Sequence, residues 1–186
     1  MFLKNIVYIC KKTKKMNKRE QILEFIEDIE LLDEFADDAI IGYVERACGS
    51  NYVLYEKEKL FSLFKNEPLC LKEGQLIFTK ANLTEIEGIE KGNLLIADGF
   101  NDAIIGYANT SDFNCFVIYD TEKCINLLAE DYKKEMKEQE PEKTEEEINS
   151  ETYEMAVEYF YFNTAGAYMG EKTPGFATMI LSEDSD

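Results

Sequence analysis

Carboxylates carry most of the chemistry open to this sequence, because its 186 residues include 38 Asp and Glu and no histidine. Without imidazole, Ser-His-Asp and Cys-His catalysis, the H-E-x-x-H proteases and imidazole zinc sites are closed off. Carboxylate, Lys, Tyr, Cys or Ser chemistry remains. Asp37, Asp38, Asp98, Asp102 and Asp120 stand at the ends of predicted strands. Asp38 and Asp102 each open the hexapeptide D-A-I-I-G-Y, and the two hexapeptides lie 64 residues apart. Brought together across a pseudo-twofold axis, this pair has the chemistry to hold Mg²⁺ or to share a proton. An Asp before a strand or a glycine is more commonly a turn former that bonds its own backbone, and turn chemistry is the leading expectation for all five. Tyr43 and Tyr107 close the two hexapeptides and are candidates to face a ligand or partner, with sheet packing as the competing reading.

Two other patterns carry less. Gly170-Glu171-Lys172-Thr173 superficially resembles a phosphate-binding loop, but the G-x-x-x-x-G-K-[ST] spacing is missing and a predicted helix replaces the required preceding strand. The five cysteines Cys10, Cys48, Cys70, Cys115 and Cys124 form no C-x-x-C pair, so buried free thiols are expected rather than disulfides or zinc ligands. No cofactor is expected.

The elements that must position these residues follow from a repeat. Residues 38–64 and 102–128 align without a gap, with 11 identities in 27 positions. Each copy reads as an apolar strand (39–44, 103–108), a polar turn, a second β-rich strand (52–55, 115–119) and an amphipathic helix. The turns differ most, Ala47-Cys48-Gly49-Ser50 in one copy and Ser111-Asp112-Phe113-Asn114 in the other. Asp120 stands where a helix N-cap belongs, and Pro68 ends the first helix. An amphipathic helix is predicted from Asn17 to about Leu32. Gln75–Thr79 and Asn93–Ala97 read as strands, and 84–92 as a connector or poor helix. The Glu- and Lys-rich stretch 133–150 reads as a helix end and a flexible acidic linker. A helix from Glu151 to Asn163 follows, then a small-residue segment around Gly166 and Gly170, and a disordered acidic tail 182–186.

Net charge is −18, and its distribution is uneven. Residues 1–19 hold seven Lys or Arg and no acid, so the remaining body carries −25. Met16 is a candidate alternative start. A body this acidic repels nucleic acid phosphates and has basic surfaces as its natural macromolecular partners. Solubility alone is the plainer account of the acidity. No apolar run approaches the roughly 18–20 residues of a membrane span, and the lysines follow the apolar stretch Ile6–Cys10 rather than precede it, which is backwards for a secretory signal. A cytoplasmic location, in the host cell if the protein is viral, is the expectation.

One set of motifs has a family resemblance. Asp98-Gly99-Phe100-Asn101-Asp102-Ala103-Ile104-Ile105-Gly106, then Val117-Ile118-Tyr119-Asp120 and Lys123-Cys124-Ile125, then Glu158–Asn163, Gly166-Ala167-Tyr168 and Gly170–Pro174 resemble an uncharacterised small protein family of bacteriophages and prophages. The resemblance covers roughly residues 93–176; the insertion at 133–150 departs from it. It implies a viral accessory protein and no mechanism.

The expected fold is α+β, with two duplicated β-hairpin–helix units forming an antiparallel sheet packed on one face by N- and C-terminal helices. Its segments are a basic 1–16, a first unit within 17–92, and a second within 93–180. The expected function is non-enzymatic: an acidic binding protein that occupies the basic site of a host nucleic-acid-binding or defence protein, as an inhibitor or DNA mimic. The alternative is a carboxylate-metal enzyme or small-molecule binder using the duplicated hexapeptides. Candidate binding residues are Asp38, Tyr43, Asp98, Asp102, Tyr107, Asn163, Tyr168 and Glu171. Direct nucleic acid contact and membrane contact are not expected; a homo-oligomer is allowed.

Overall fold

The computed structural model describes residues 16–26, 29–47, 50–65, 69–89, 94–111 and 114–180. Expectations for the basic N-terminal segment, Pro68, the turn interiors at 48–49 and 112–113, and the acidic tail lie outside these residues. Six short strands, β1 (Ile40–Glu45), β2 (Asn51–Glu56), β3 (Gln75–Lys80), β4 (Ile104–Asn109), β5 (Cys115–Asp120) and β6 (Gly175–Met179), close into a barrel in chain order. The protein is therefore α+β, with a mixed closed sheet. That corrects the expected antiparallel sheet, since β2 and β3 run parallel, as do β5 and β6.

Parallel neighbours require a crossover, which is what the helices provide. Helix α1 (Lys18–Phe25) precedes the barrel, and α2 (Lys57–Phe64) lies between β2 and β3. The short α3 (Leu83–Glu87) follows β3. Between β5 and β6 the chain builds α4 (Thr121–Gln139), α5 (Glu145–Tyr159) and a π-helical turn, Phe160–Ala165. The stretch 133–150, expected as a flexible linker, is the tip of this α4–α5 hairpin. Helix α5 starts there because Thr144 and Glu147 form a reciprocal capping box. Its buried Ile148 and Thr152 give the acidic sequence an inward face. Asp120 caps α4 as expected, accepting from the Lys123 N–H at 3.1 Å.

The two hairpins share one register. Ile40 faces Tyr55 and Gly42 faces Leu54 across a bulge, as Ile104 faces Tyr119 and Gly106 faces Ile118. Each turn is closed by the same bond, from Arg46 N–H to the Ser50 carbonyl and from Thr110 N–H to the Asn114 carbonyl. The third strands also correspond, at an offset of 99, with Thr79 opposite Tyr107 and Thr178 opposite Tyr43. Strand β6 has no counterpart in the sequence-based expectations. Its Gly175, Ala177 and Met179 are weak strand formers, and only Phe176 and Thr178 carry the β-branched or aromatic character by which strands are recognised. The segment Leu94–Ala97, expected as a strand, joins no sheet.

Alternation along the strands sorts side chains into the barrel and onto its outside. Val44, Leu54, Leu76, Phe78, Ala108, Phe116, Ile118 and Ala177 fill the interior. Outside, Tyr43, Val53 and Tyr55 pack with Ile22, Ile26 and Leu60, whereas Val117, Tyr119 and Phe176 pack with Cys124, Ile125, Ala156 and Phe160. The N- and C-terminal helices thus cover two separate hydrophobic layers rather than one face, because a closed sheet has no second open face to leave bare. Tyr55 and Tyr119 each accept a backbone N–H bond from the segment entering their half, from Leu32 at 3.1 Å and from Ala97 at 2.9 Å. Among the described residues no helix is long and apolar enough to cross a membrane.

Glycine is required where strands crowd. A Cβ on Gly42 would sit 2.4 Å from the Thr178 carbonyl oxygen, and one on Gly106 2.1 Å from that of Thr79. Inside the barrel, a Cβ on Gly175 would meet Val44, Phe116 and Ile118 at 2.8–3.0 Å. Replacing Gly106 or Gly175 by Ala is expected to cost about 1–3 kcal/mol, as overpacking does. Thermal unfolding should register this as a drop of about 2–4 °C per kcal/mol for a chain of this size, while Gly99→Ala, which meets nothing within 4 Å but needs a positive φ, should cost less.

Candidate functional site

The strand directions give the barrel two unlike ends. One gathers the residues that precede β1 and β4 and end β2, β3 and β5, so Asp37, Asp38, Asp102 and Asp120 all stand there. They do not converge. Asp38 and Asp102 precede strands on opposite sides of the six-strand ring. Asp37 is engaged by Arg19, whose Nε reaches both its oxygens at 2.9 Å. Asp120 is the α4 cap. Among the described residues no three Asp, Glu or Cys groups converge as metal ligands. Tyr43 is buried against α1, its ring stacked on Phe25 at 5.4 Å. Burial pushes its hydroxyl pKa up, and the bond with Thr178 partly offsets that. Tyr107 is half-buried on the layer beneath α4.

The other end of the barrel gathers both hairpin turns and the segments that enter β3 and β6. Arg46 closes it. Its guanidinium lies 4.2 Å from the centre of the Phe116 ring, and its Nη2 donates to the carbonyls of Glu171 at 2.8 Å and Thr173 at 3.0 Å. A cation over an aromatic face and two charge-assisted bonds together tie the 166–174 segment to β1. Thr173 completes the tie by donating from Oγ1 to the Gly170 carbonyl and accepting from the Met169 N–H. Thus the Gly-Glu-Lys-Thr motif forms a tight loop anchored from below, with Gly170 at φ 98°. Beside it opens a polar cavity of about 550 Å³ that includes Tyr52, Lys72, Thr110, Asn114, Tyr168 and Glu171. Lys72 is ion-paired with Glu30 there.

On the other side of the same segment lies an apolar cavity of about 370 Å³. Leu95, Ile96 and Phe100 form one wall, Leu127 and Leu128 of α4 the floor, and Tyr159, Met169 and Phe176 the remainder. Asp98, Asp131 and Asn163 supply its polar edge. The π turn brings Asn163 and Thr164 to this wall and turns Phe162 out to solvent, at 84% exposure; such turns recur at functional positions in helices. Of the eight residues singled out in the sequence, Asp98 and Asn163 meet here, Tyr168 and Glu171 meet at the polar cavity, and Asp38, Tyr43, Asp102 and Tyr107 belong to neither. Arg46, Tyr159 and Met169 escaped the sequence reading. Arg46 stands between β1 and the 47–50 turn, where no local pattern marks a site, and the exposure of Tyr159 is a property of packing.

The thiols differ in environment. Cys70 is exposed, against the expectation of burial, while Cys124 is buried beneath α4. Burial, with the Asp120 charge second, pushes the Cys124 pKa up to about 12. Since the thiolate is the reactive form, iodoacetamide at pH 8 is expected to alkylate Cys70 and leave Cys124 intact in the folded protein. Peptide mapping by mass spectrometry reads this directly. Arg46→Ala should cost about 1.5–3 kcal/mol for the lost charged bonds and speed hydrogen exchange at residues 169–176. Arg46→Lys, lacking the planar fork, should rescue little of either.

Compared with protein-family models, with curated proteins and with solved structures, the chain matches none.

Proposed function

We propose that this protein is a non-enzymatic, acidic binding protein of phage or prophage origin that engages a basic surface on a host protein. The observation that carries the reading is the uncompensated charge of the α4–α5 hairpin. Residues 121–159 hold 13 acids and five lysines. Four of those lysines are already spent within the hairpin, in pairs such as Lys133 and Lys137 with Glu145, and Lys143 with Glu140 and Glu151. Glu130, Glu135, Glu138, Glu142, Glu146, Glu154 and Glu158 remain exposed, with no ion pair among the described residues. Such a field steers basic partners and repels phosphate chains. A host nuclease or defence protein with a nucleic-acid groove fits it, which makes the protein a competitor of DNA for that groove. The phage assignment rests on the motif resemblance. We read the matching registers at offsets 64 and 99 as the trace of a duplicated strand–strand–helix–strand unit.

Immobilised protein is expected to retain basic nucleic-acid-binding proteins from host lysate at about 0.05 M salt and to release them by about 0.5 M, as the screening length shrinks. Added duplex DNA should displace them. Replacing Glu138, Glu142 and Glu146 by Lys should abolish retention without lowering the melting temperature. Retention that ignores salt and this charge reversal would refute the reading.

A further inference from the structure

An exposed apolar stripe runs along the hairpin into the π turn. Met155 and Tyr159 stand at i and i+4 on the last α-helical turns, and Phe162 follows in the π turn, with exposures of 46%, 45% and 84%. Tyr159 also walls the apolar cavity, beside Ile96 and Met169, which are 39% and 69% exposed. Isolated exposed apolar residues need no explanation, but a stripe continuous with a cavity marks an interaction surface. Its surroundings are acidic. Glu154 and Glu158 flank the stripe in sequence, and Asp98 and Asp131 edge the cavity. Asp98 has no ion pair among the described residues, and Asp131 has only the exposed pair with Lys134, which is worth little and is readily exchanged.

We infer that this surface docks a basic amphipathic helix of a partner protein, one apolar side chain filling the cavity and a Lys or Arg meeting Asp98 and Asp131. The inference rests on the binding function proposed above and deepens it by naming the surface. Charge complementarity selects this occupant. A neutral amphipathic helix would leave the acidic edge unpaired, and a purely basic segment would leave the stripe and cavity open to water. Apolar anchors at i, i+4 and i+7 on the partner would match the stripe by helix-on-helix packing, the mode in which amphipathic helices fill apolar grooves.

The test uses fluorescence anisotropy with two synthetic peptides of about 14 residues. In one, Leu and a single Trp recur at helical spacing among lysines; in the other, the apolar residues are serine. The full chain is expected to bind the amphipathic peptide at least about tenfold more tightly than the serine peptide. Phe162→Ser with Met169→Ser should lose that advantage, and Asp98→Asn with Asp131→Asn should weaken binding and flatten its salt dependence. All four positions are exposed or edge a cavity, and circular dichroism verifies that each variant folds. Equal binding of both peptides by every variant would overturn the inference while leaving the charge-driven function standing. No binding of either peptide at low salt would overturn both. Two other occupants are separable by experiment. A dimer of the unmodified chain that the Phe162/Met169 variant converts to monomer would assign the surface to a second copy. A gain of about tenfold in peptide affinity on replacing Lys11, Lys12, Lys14 and Lys15 by Gln would assign it to the chain's own basic segment. Either result overturns the inference.

Discussion

Barrel width falls with strand number, and at six strands the interior accepts only a few large side chains. Here Leu54, Leu76, Phe78, Phe116 and Ile118 occupy it, and Ala108, Ala177, Gly106 and Gly175 make way for them. The crowding is local and severe, since two strand contacts bring a carbonyl within 2.4 Å of where a Cβ would stand. Everything else depends on this closure. It joins β6 to β1 and β3 to β4, and so makes one interior from the two halves of the chain. It also fixes which strand residues turn outward to receive the helices.

Outside the barrel the two halves diverge, and the divergence sits in the crossovers. A parallel step needs only a short helix to return the chain, as α2 does between β2 and β3. The second half spends far more chain on the same step and builds the α4–α5 hairpin, the π turn and the Arg46-anchored loop. Connections can grow in this way with little effect on the scaffold because their ends are already held at fixed separation by the sheet. That elaboration carries the uncompensated acids, the exposed stripe and much of the lining of the apolar cavity.

The anchored loop shows how the two regions are linked. Arg46 belongs to the first hairpin, yet its bonds to Glu171 and Thr173 and its contact with Phe116 hold the loop that separates the two cavities. A planar guanidinium can lie on the aromatic ring and donate sideways to two carbonyls at once. In the equivalent place of the second hairpin stands Thr110, which bonds to Asn114 of its own turn. The scaffold's two halves are alike in register and unlike in what they hold.

Local signals in the sequence determined the hairpins, their offset of 64, the Asp120 cap and the absence of imidazole chemistry, because alternation, capping and composition act between near neighbours. The α+β class was legible for the same reason. Closure was decided only by tertiary structure. β6 is a strand because open edges of β5 and β1 flank it, and in its own Gly-Phe-Ala-Thr-Met sequence only Phe and Thr favour a strand. The stretch 133–150 resembled a linker because its charges outnumber its apolar residues, and it is helical because Ile148 and Thr152 find a buried face in the hairpin. Asp38 and Asp102 were equivalent in sequence and stand on opposite sides of the ring, since a repeat determines register and says nothing of the distance across a barrel. The apolar cavity is least legible of all, for its walls come from 95–100, α4, the end of α5 with its π turn, the 167–174 loop and β6, segments that meet only once the sheet has closed.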